Sequence, residues 1–305
     1  MASSRWKRGL AALILLPLIG LPSVARGAVD PGATGALGWS APSRDQVAAT
    51  ESATGLQPAA IGFFADFTTE FPAAWAAEAR RRAVPLVIAW EPWDWSRGRA
   101  DQSEYSAAAI AAGRWDDHAR AFASAARASG ADILLRYAPE MNGDWNLWSQ
   151  GPGDSPAEFV RAWHHLRAIF RAAGAANVAW VFNPTVGYEG STAMRRYWPG
   201  AAAVDWIALD GYHWHGVLAG FAHQSADDVF AASLAELRAL DARAPFMIAE
   251  TAARPAEAGA WLAEVQRIAP SLGARLVLWF EFDKEVDWRL ASAIARAPAS
   301  AALAQ

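Results

Sequence analysis

Two glutamates stand where apolar runs end. Residues 132–137, Asp-Ile-Leu-Leu-Arg-Tyr, lead into Ala138-Pro139-Glu140-Met141-Asn142-Gly143, and residues 245–249, Pro-Phe-Met-Ile-Ala, lead into Glu250. Both runs read as buried strands. Glutamate is rarely buried without a partner or a purpose. A single glutamate of this kind reads as half of an ion pair, for example with Arg136. Two of them, with aromatic residues close by, point to chemistry instead. A pair of carboxyls divides the work of breaking a glycosidic bond. One, as a neutral acid, protonates the leaving oxygen; the other, ionised, attacks the sugar carbon or activates a water. The acid needs a raised pKa, which an apolar, aromatic setting supplies by desolvation. Glu91, at the end of a third run, is a reserve candidate whose plainer role is pairing with an arginine.

His213-Trp214-His215 raises the question of a metal. On an extended segment, residues two apart face the same side, and two imidazoles there can share Zn²⁺. No third ligand is apparent, although His223 is near in sequence. The expectation is therefore no metal and no cofactor, with His213 hydrogen-bonding sugar hydroxyls in a cleft. The chain contains 17 Trp, more than one core easily uses. Indole rings are favoured where a flat apolar face meets a partly polar ligand, and sugars are such ligands.

The elements that must position these residues are legible as an alternation. Short apolar runs cover residues 35–39, 60–67, 85–90, 132–137, 178–183, 205–210, 245–250 and 275–282. Most are continuous rather than alternating, as expected for parallel strands covered on both faces. Between them lie Ala-, Arg- and Leu-rich stretches with helical spacing, among them 115–128, 156–173, 226–240 and 256–268. Gly130, Gly174 and Gly273 are placed to end three of these. Eight strand–helix alternations predict an α/β fold, the (β/α)₈ TIM barrel, with catalysis at the C-terminal strand ends. An open doubly wound sheet would want fewer strands and a Gly-rich phosphate loop, which the sequence lacks.

The N-terminus reads as a secretory signal peptide over residues 1–25. Arg5, Lys7 and Arg8 precede an apolar run over 10–21 and the small-residue site Ser23-Val24-Ala25. That run is too short to span a bilayer comfortably. The expected mature chain, 26–305, is one catalytic domain of about 280 residues, a usual size for one barrel. The formal charge is −4, and losing the basic leader makes the chain more acidic. Nucleic acid and, after cleavage of the leader, membranes are thus poor partners. The expectation is a secreted or periplasmic monomer acting on a neutral polysaccharide or oligosaccharide.

The chain resembles glycoside hydrolase family 26. The likeness rests on Arg136 followed by Glu140-Met141-Asn142-Gly143, Trp145 and Trp148. It extends to Ala89-Trp90-Glu91-Pro92, Gly113-Arg114-Trp115-Asp116-Asp117, the run 204–212 ending in Asp210-Gly211-Tyr212, and Asp287-Trp288-Arg289. The resemblance implies a retaining, endo-acting hydrolase with its acid/base on strand four, Glu140, and its nucleophile on strand seven, Glu250. It implies that Tyr212 holds the nucleophile, that Trp145 stands beside the acid/base, and that Trp279 is the platform under the sugar being cleaved. Arg136, Trp148 and Trp90 are expected around the substrate. One position departs from the family: many members carry His immediately before the acid/base, and here it is Pro139. β-Mannan, mixed-linkage β-glucan, β-1,3-xylan and an exopolysaccharide all remain open as substrates. A non-catalytic glycan-binding barrel and a transglycosylase are the alternatives.

Overall fold

The computed structural model describes residues 34–150 and 154–296. The expected signal peptide lies outside the described residues. Among those residues, eight parallel strands close into a barrel in sequence order. They are β1 (Ala36–Ser40), β2 (Ile61–Asp66), β3 (Leu86–Glu91), β4 (Ile133–Tyr137), β5 (Val178–Phe182), β6 (Trp206–Asp210), β7 (Phe246–Thr251) and β8 (Ala274–Phe280). β1 pairs with β8 over Ala36–Ser40, which closes the ring. The strands fall within a residue or two of the apolar runs, because burial on both faces leaves few polar interruptions.

The helices are α1 (Arg44–Thr54), α2 (Ala73–Arg82), α3 (Ala107–Ala111), α4 (Asp116–Ser129), α5 (Leu147–Gln150), α6 (Pro156–Ala172), α7 (Ala226–Leu240), α8 (Ala258–Leu272) and α9 (Leu290–Arg296). Their starts are written locally. Ser155 caps α6 with Pro156 in its first turn, and Ser225 and Asp228 form a reciprocal capping box on α7. Gly130 and Gly273 end α4 and α8 with φ of 60° and 66°, a conformation an L side chain resists. No helix among the described residues is long and apolar enough to cross a membrane.

Two apolar layers result. The lumen is filled by Val87, Leu134, Ala179, Val181, Trp206, Ala208, Met247, Ala249, Leu276 and Leu278. The larger layer lies between strands and helices and takes the alternate strand residues, such as Ile88, Leu135, Ile207 and Val277. This period of two decides which strand-end side chains reach the mouth.

Candidate active site

Continuing the lumen phase by one step carries polar groups to the C-terminal rim. After Leu134 comes Arg136, after Val181 comes Asn183, and after Ala208 comes Asp210; all three are buried. Glu250 reaches the rim differently. In β7 the inward residues are Met247 and Ala249, so simple alternation would turn Glu250 outward. A bulge intervenes: Leu209 pairs with Ile248, but Asp210 pairs with Glu250. The extra residue brings Glu250 into the phase of the inward Asp210. Thr251 then faces α8 and accepts a hydrogen bond from the Trp261 indole at 2.9 Å.

Arg136 is the hub. Its Nη2 donates to Glu250 Oε1 at 2.6 Å and to Asp210 Oδ2 at 2.7 Å, and its Nε donates to Asn183 Oδ1. Tyr212 Oη donates to Glu250 Oε2 at 2.6 Å. Both oxygens of Glu250 are therefore engaged, one by a cation. Burial, followed by the nearby carboxylates of Glu250 and Glu140, pushes the Tyr212 phenol well above its ordinary range, so it remains a donor. Burial likewise raises Asp210, against the opposing charge of Arg136.

Glu140 is held otherwise. β4 ends at Tyr137, and Ala138 and Glu140 both adopt positive φ, 46° and 57°, on either side of Pro139. Such left-handed residues cost about 1–2 kcal/mol each. The turn is secured by Glu140 N–H donating to Asn183 O at 2.8 Å and by the Trp148 indole donating to Pro139 O at 2.8 Å. The carboxyl receives one side-chain hydrogen bond, from Trp145 Nε1 at 2.7 Å. Burial raises its pKa to about 7, and the charge of Glu250 adds to the rise; the Trp145 bond, Arg136 and Lys284 oppose it.

Glu91 stands at the same rim. Its Oε2 accepts from the indoles of Trp93 at 2.9 Å and Trp95 at 2.8 Å, and burial raises its pKa. No arginine pairs with it among the described contacts; two tryptophans do. Trp95, Trp145 and Tyr188 stay substantially exposed, and the last two rings lie 5.6 Å apart. These are the aromatics that a ligand at the mouth would meet.

The rim therefore gathers Glu140, Glu250, Arg136, Tyr212 and Trp145. Three other candidates lie elsewhere. Trp279 follows Leu278 in β8 and so points out of the lumen; it is fully buried, and its indole donates to Trp288 O at 2.9 Å. Trp90 follows the inward Ala89 and packs on Phe122 of α4, with ring centroids 4.8 Å apart. Both are wall residues, not platforms. His213 is buried and stacks on Trp261 at 4.8 Å rather than facing a cleft. Trp148 is also buried and supports the Glu140 turn from below. Sequence reasoning missed Asn183 and Asp210, although each is the polar end of an apolar run, the same signal that marked the glutamates. It also missed Trp95 and Tyr188, which sit in loops without periodicity.

A closed parallel barrel with paired carboxyls of different setting at its C-terminal rim, edged by exposed aromatics, has the make-up of a barrel glycosidase. The family model for glycosyl hydrolase family 26 matches residues 104–258, a segment that holds both glutamates. The chain belongs to that family. It is 34% identical over 218 residues to endoglucanase H of Acetivibrio thermocellus, covering 68% of this chain and 23% of that protein. It is 33% identical over 91 residues to mannan endo-1,4-beta-mannosidase A and B of Caldalkalibacillus mannanilyticus, covering 28% of this chain and 17% of that protein. The matched segments thus span less than a quarter of these relatives' lengths. Among solved structures, a GH26-CBM35 β-(1,4)-mannanase of Podospora anserina superposes with a TM-score of 0.62 at 16% identity, over 88% of this chain and 61% of that one. A mannanase of Bacillus subtilis gives 0.60 at 15% identity, over 89% and 86%. At these identities the structures share the fold.

Proposed function

We propose that this glycoside hydrolase is a retaining, endo-acting enzyme that cuts a β-linked polysaccharide. Glu250 is its nucleophile and Glu140 its acid/base. The observation that carries the reading is the contrast between the two carboxyls. Glu250 accepts from a guanidinium and a phenol, the setting of a carboxylate. Glu140 sits in an apolar turn that raises it to about 7, the setting of an acid. In the first step Glu250 attacks the anomeric carbon while Glu140 protonates the departing oxygen. The Tyr212 hydrogen bond keeps the attacking oxygen in line. In the second step Glu140, now ionised, takes a proton from water, which releases the sugar. No cofactor is required by this scheme.

The backbone sugar is proposed to be gluco- or manno-configured, since the printed activities of the relatives are an endoglucanase and a mannosidase. Pro139 has no N–H and no side-chain donor, so discrimination at that point falls to neighbours such as Trp145. Export as a secreted or periplasmic monomer, after removal of residues 1–25, belongs to the same proposal. The test is a panel of β-mannan, glucomannan, mixed-linkage β-glucan and β-1,3-xylan, with product sizes and the anomeric configuration of fresh ends read by NMR. Internal cleavage with retained configuration is expected. An inverted product, or no cleavage across the panel, overturns the reading.

A further inference from the structure

Beyond Tyr212 the loop after β6 is tied to the loop after β7. His213 N–H donates to Ala252 O at 2.9 Å, and His213 and Ala253 pair in a parallel bridge. The tie gathers three side chains from the two loops. The candidate ligand atoms of His213, His215 and Glu257 lie within 4.8 Å of one another. His213 Nε2 is 3.2 Å from Glu257 Oε2, and His215 Nδ1 is 2.9 Å from Glu257 Oε1. A third imidazole adjoins them: the His223 ring centroid is 4.9 Å from that of His213 and 5.8 Å from that of His215. Glu257 is the ligand that sequence reasoning could not supply, because it lies far along the chain in another loop.

Hydrogen bonding alone does not account for the cluster. Glu257 Oε2 is buried and has no hydrogen-bond partner, although His213 Nε2 is only 3.2 Å away. A buried carboxylate oxygen left unbonded is costly. Ligands on metal bonds of about 2.0–2.1 Å stand roughly 3.3 Å apart in a tetrahedron, so three ligand atoms already within 4.8 Å of one another need only small side-chain movements to converge on one ion. His213 is pinned by its stack on Trp261, so this donor is already placed. Arg254 donates to Glu257 Oε1 at 2.8 Å.

We propose that His213, His215 and Glu257 bind a divalent transition cation of the zinc type, with solvent at the remaining position. Imidazoles with one carboxylate favour such an ion over calcium or magnesium, which prefer all-oxygen sets. Arg254 is the competitor that the incoming ion displaces from Oε1. The bound ion clamps the loops after β6 and β7 one residue beyond Tyr212. It thereby stiffens the tie between Tyr212 and Glu250 without touching the reacting atoms. The site stands apart from the carboxyl pair and does not depend on the reaction proposed for it.

The test uses the chain stripped with chelator, then dialysed against Zn²⁺ or Co²⁺ alone. One zinc per chain is expected, with a raised melting midpoint, and Co²⁺ should give the visible absorption of a four-coordinate nitrogen–oxygen site. His215→Ala should lose all three signals while melting like the parent in the absence of metal, since among the described residues the partly exposed His215 has one hydrogen bond, to Glu257, besides loose ring contacts to His213 and His223. Arg254→Ala, which removes the competitor, should bind zinc several-fold more tightly. The proposal is overturned if the stripped chain takes up no stoichiometric zinc, or if His215→Ala takes it up as tightly as the parent.

Discussion

The ends of β4 and β7 each deliver a glutamate to the same rim, by opposite means. β7 stays a strand through Thr251 and uses a bulge to turn Glu250 inward, where Arg136 and Tyr212 occupy both of its oxygens. β4 stops at Tyr137, and Glu140 follows on a turn with two left-handed residues and a proline. Its carboxyl has one side-chain donor, the half-exposed Trp145. The difference suits the roles proposed for the two groups. A nucleophile must hold its charge and its position, which a regular element beside a cation provides. An acid/base must gain and lose a proton within one cycle, so it is desolvated, lightly held and close to neutral pH.

The strongest way to break the comparison is Glu250→Ala. If Glu250 forms the covalent bond, turnover should fall by on the order of 10⁴–10⁶-fold, with natural glycans and activated aryl glycosides alike. Steady-state assays on both substrate types check this; survival of the aryl reaction at near-parental rate would remove Glu250 from the first step. Glu140→Ala should be milder and selective. Loss of a general acid costs about 10²–10⁴-fold on a polysaccharide. A substrate with a good leaving group should keep its first step, accumulate the glycosyl-enzyme and be rescued by azide. The pH profile distinguishes them further. If Glu140 is the acid, kcat/KM of the parent should fall as pH rises through about 7, and this limb should vanish from the aryl reaction of the Glu140→Ala variant.

Tyr212→Phe sharpens the β7 side. It removes one hydrogen bond to a charged group, worth about 1.5–3 kcal/mol, so kcat should drop by roughly 10–150-fold, with KM little changed. A loss in KM alone would make Tyr212 a substrate contact instead of a positioning residue.

Much of this was legible in the sequence. The eight strands were, because a parallel barrel buries both faces and leaves continuous apolar runs. Glu140 and Glu250 were, because a charged residue closing such a run is conspicuous. What was not legible is the phase of each strand. Trp90 and Trp279 sit inside stretches, 85–90 and 276–280, where every position is apolar, so nothing marks which face they take; the lumen residues Val87 and Leu278 set the phase. The bulge that turns Glu250 inward leaves no local mark either, since it arises from pairing with β6 and β8. The Arg136 partners Asn183 and Asp210, and the meeting of Glu257 with His213, are likewise products of closure.

The smallest effect tests the β4 side most directly, through stability. The folded Glu140 holds its proton to about pH 7, against an ordinary value of 4.5. Between those values the folded chain binds more protons than the unfolded one. Stability from this group is therefore fullest below about pH 4.5 and declines as pH rises towards 7, after which it is flat. Glutamine has the same shape, can still accept from the Trp145 indole and does not titrate. Glu140→Gln should match the parent at low pH and exceed it at pH 8 by on the order of 1–3 kcal/mol. Other groups with raised values, Asp210 and Glu91 among them, are present in both chains and largely cancel in the difference. Part of the rise comes from the charge of Glu250, so the gain should shrink when the same pair is compared in a Glu250→Gln background. Urea titrations of the four chains at pH 4.5, 6 and 8 measure it. A difference that does not change with pH would mean that Glu140 is not held as a buried acid, and the contrast between the two strand ends would lose its electrostatic basis.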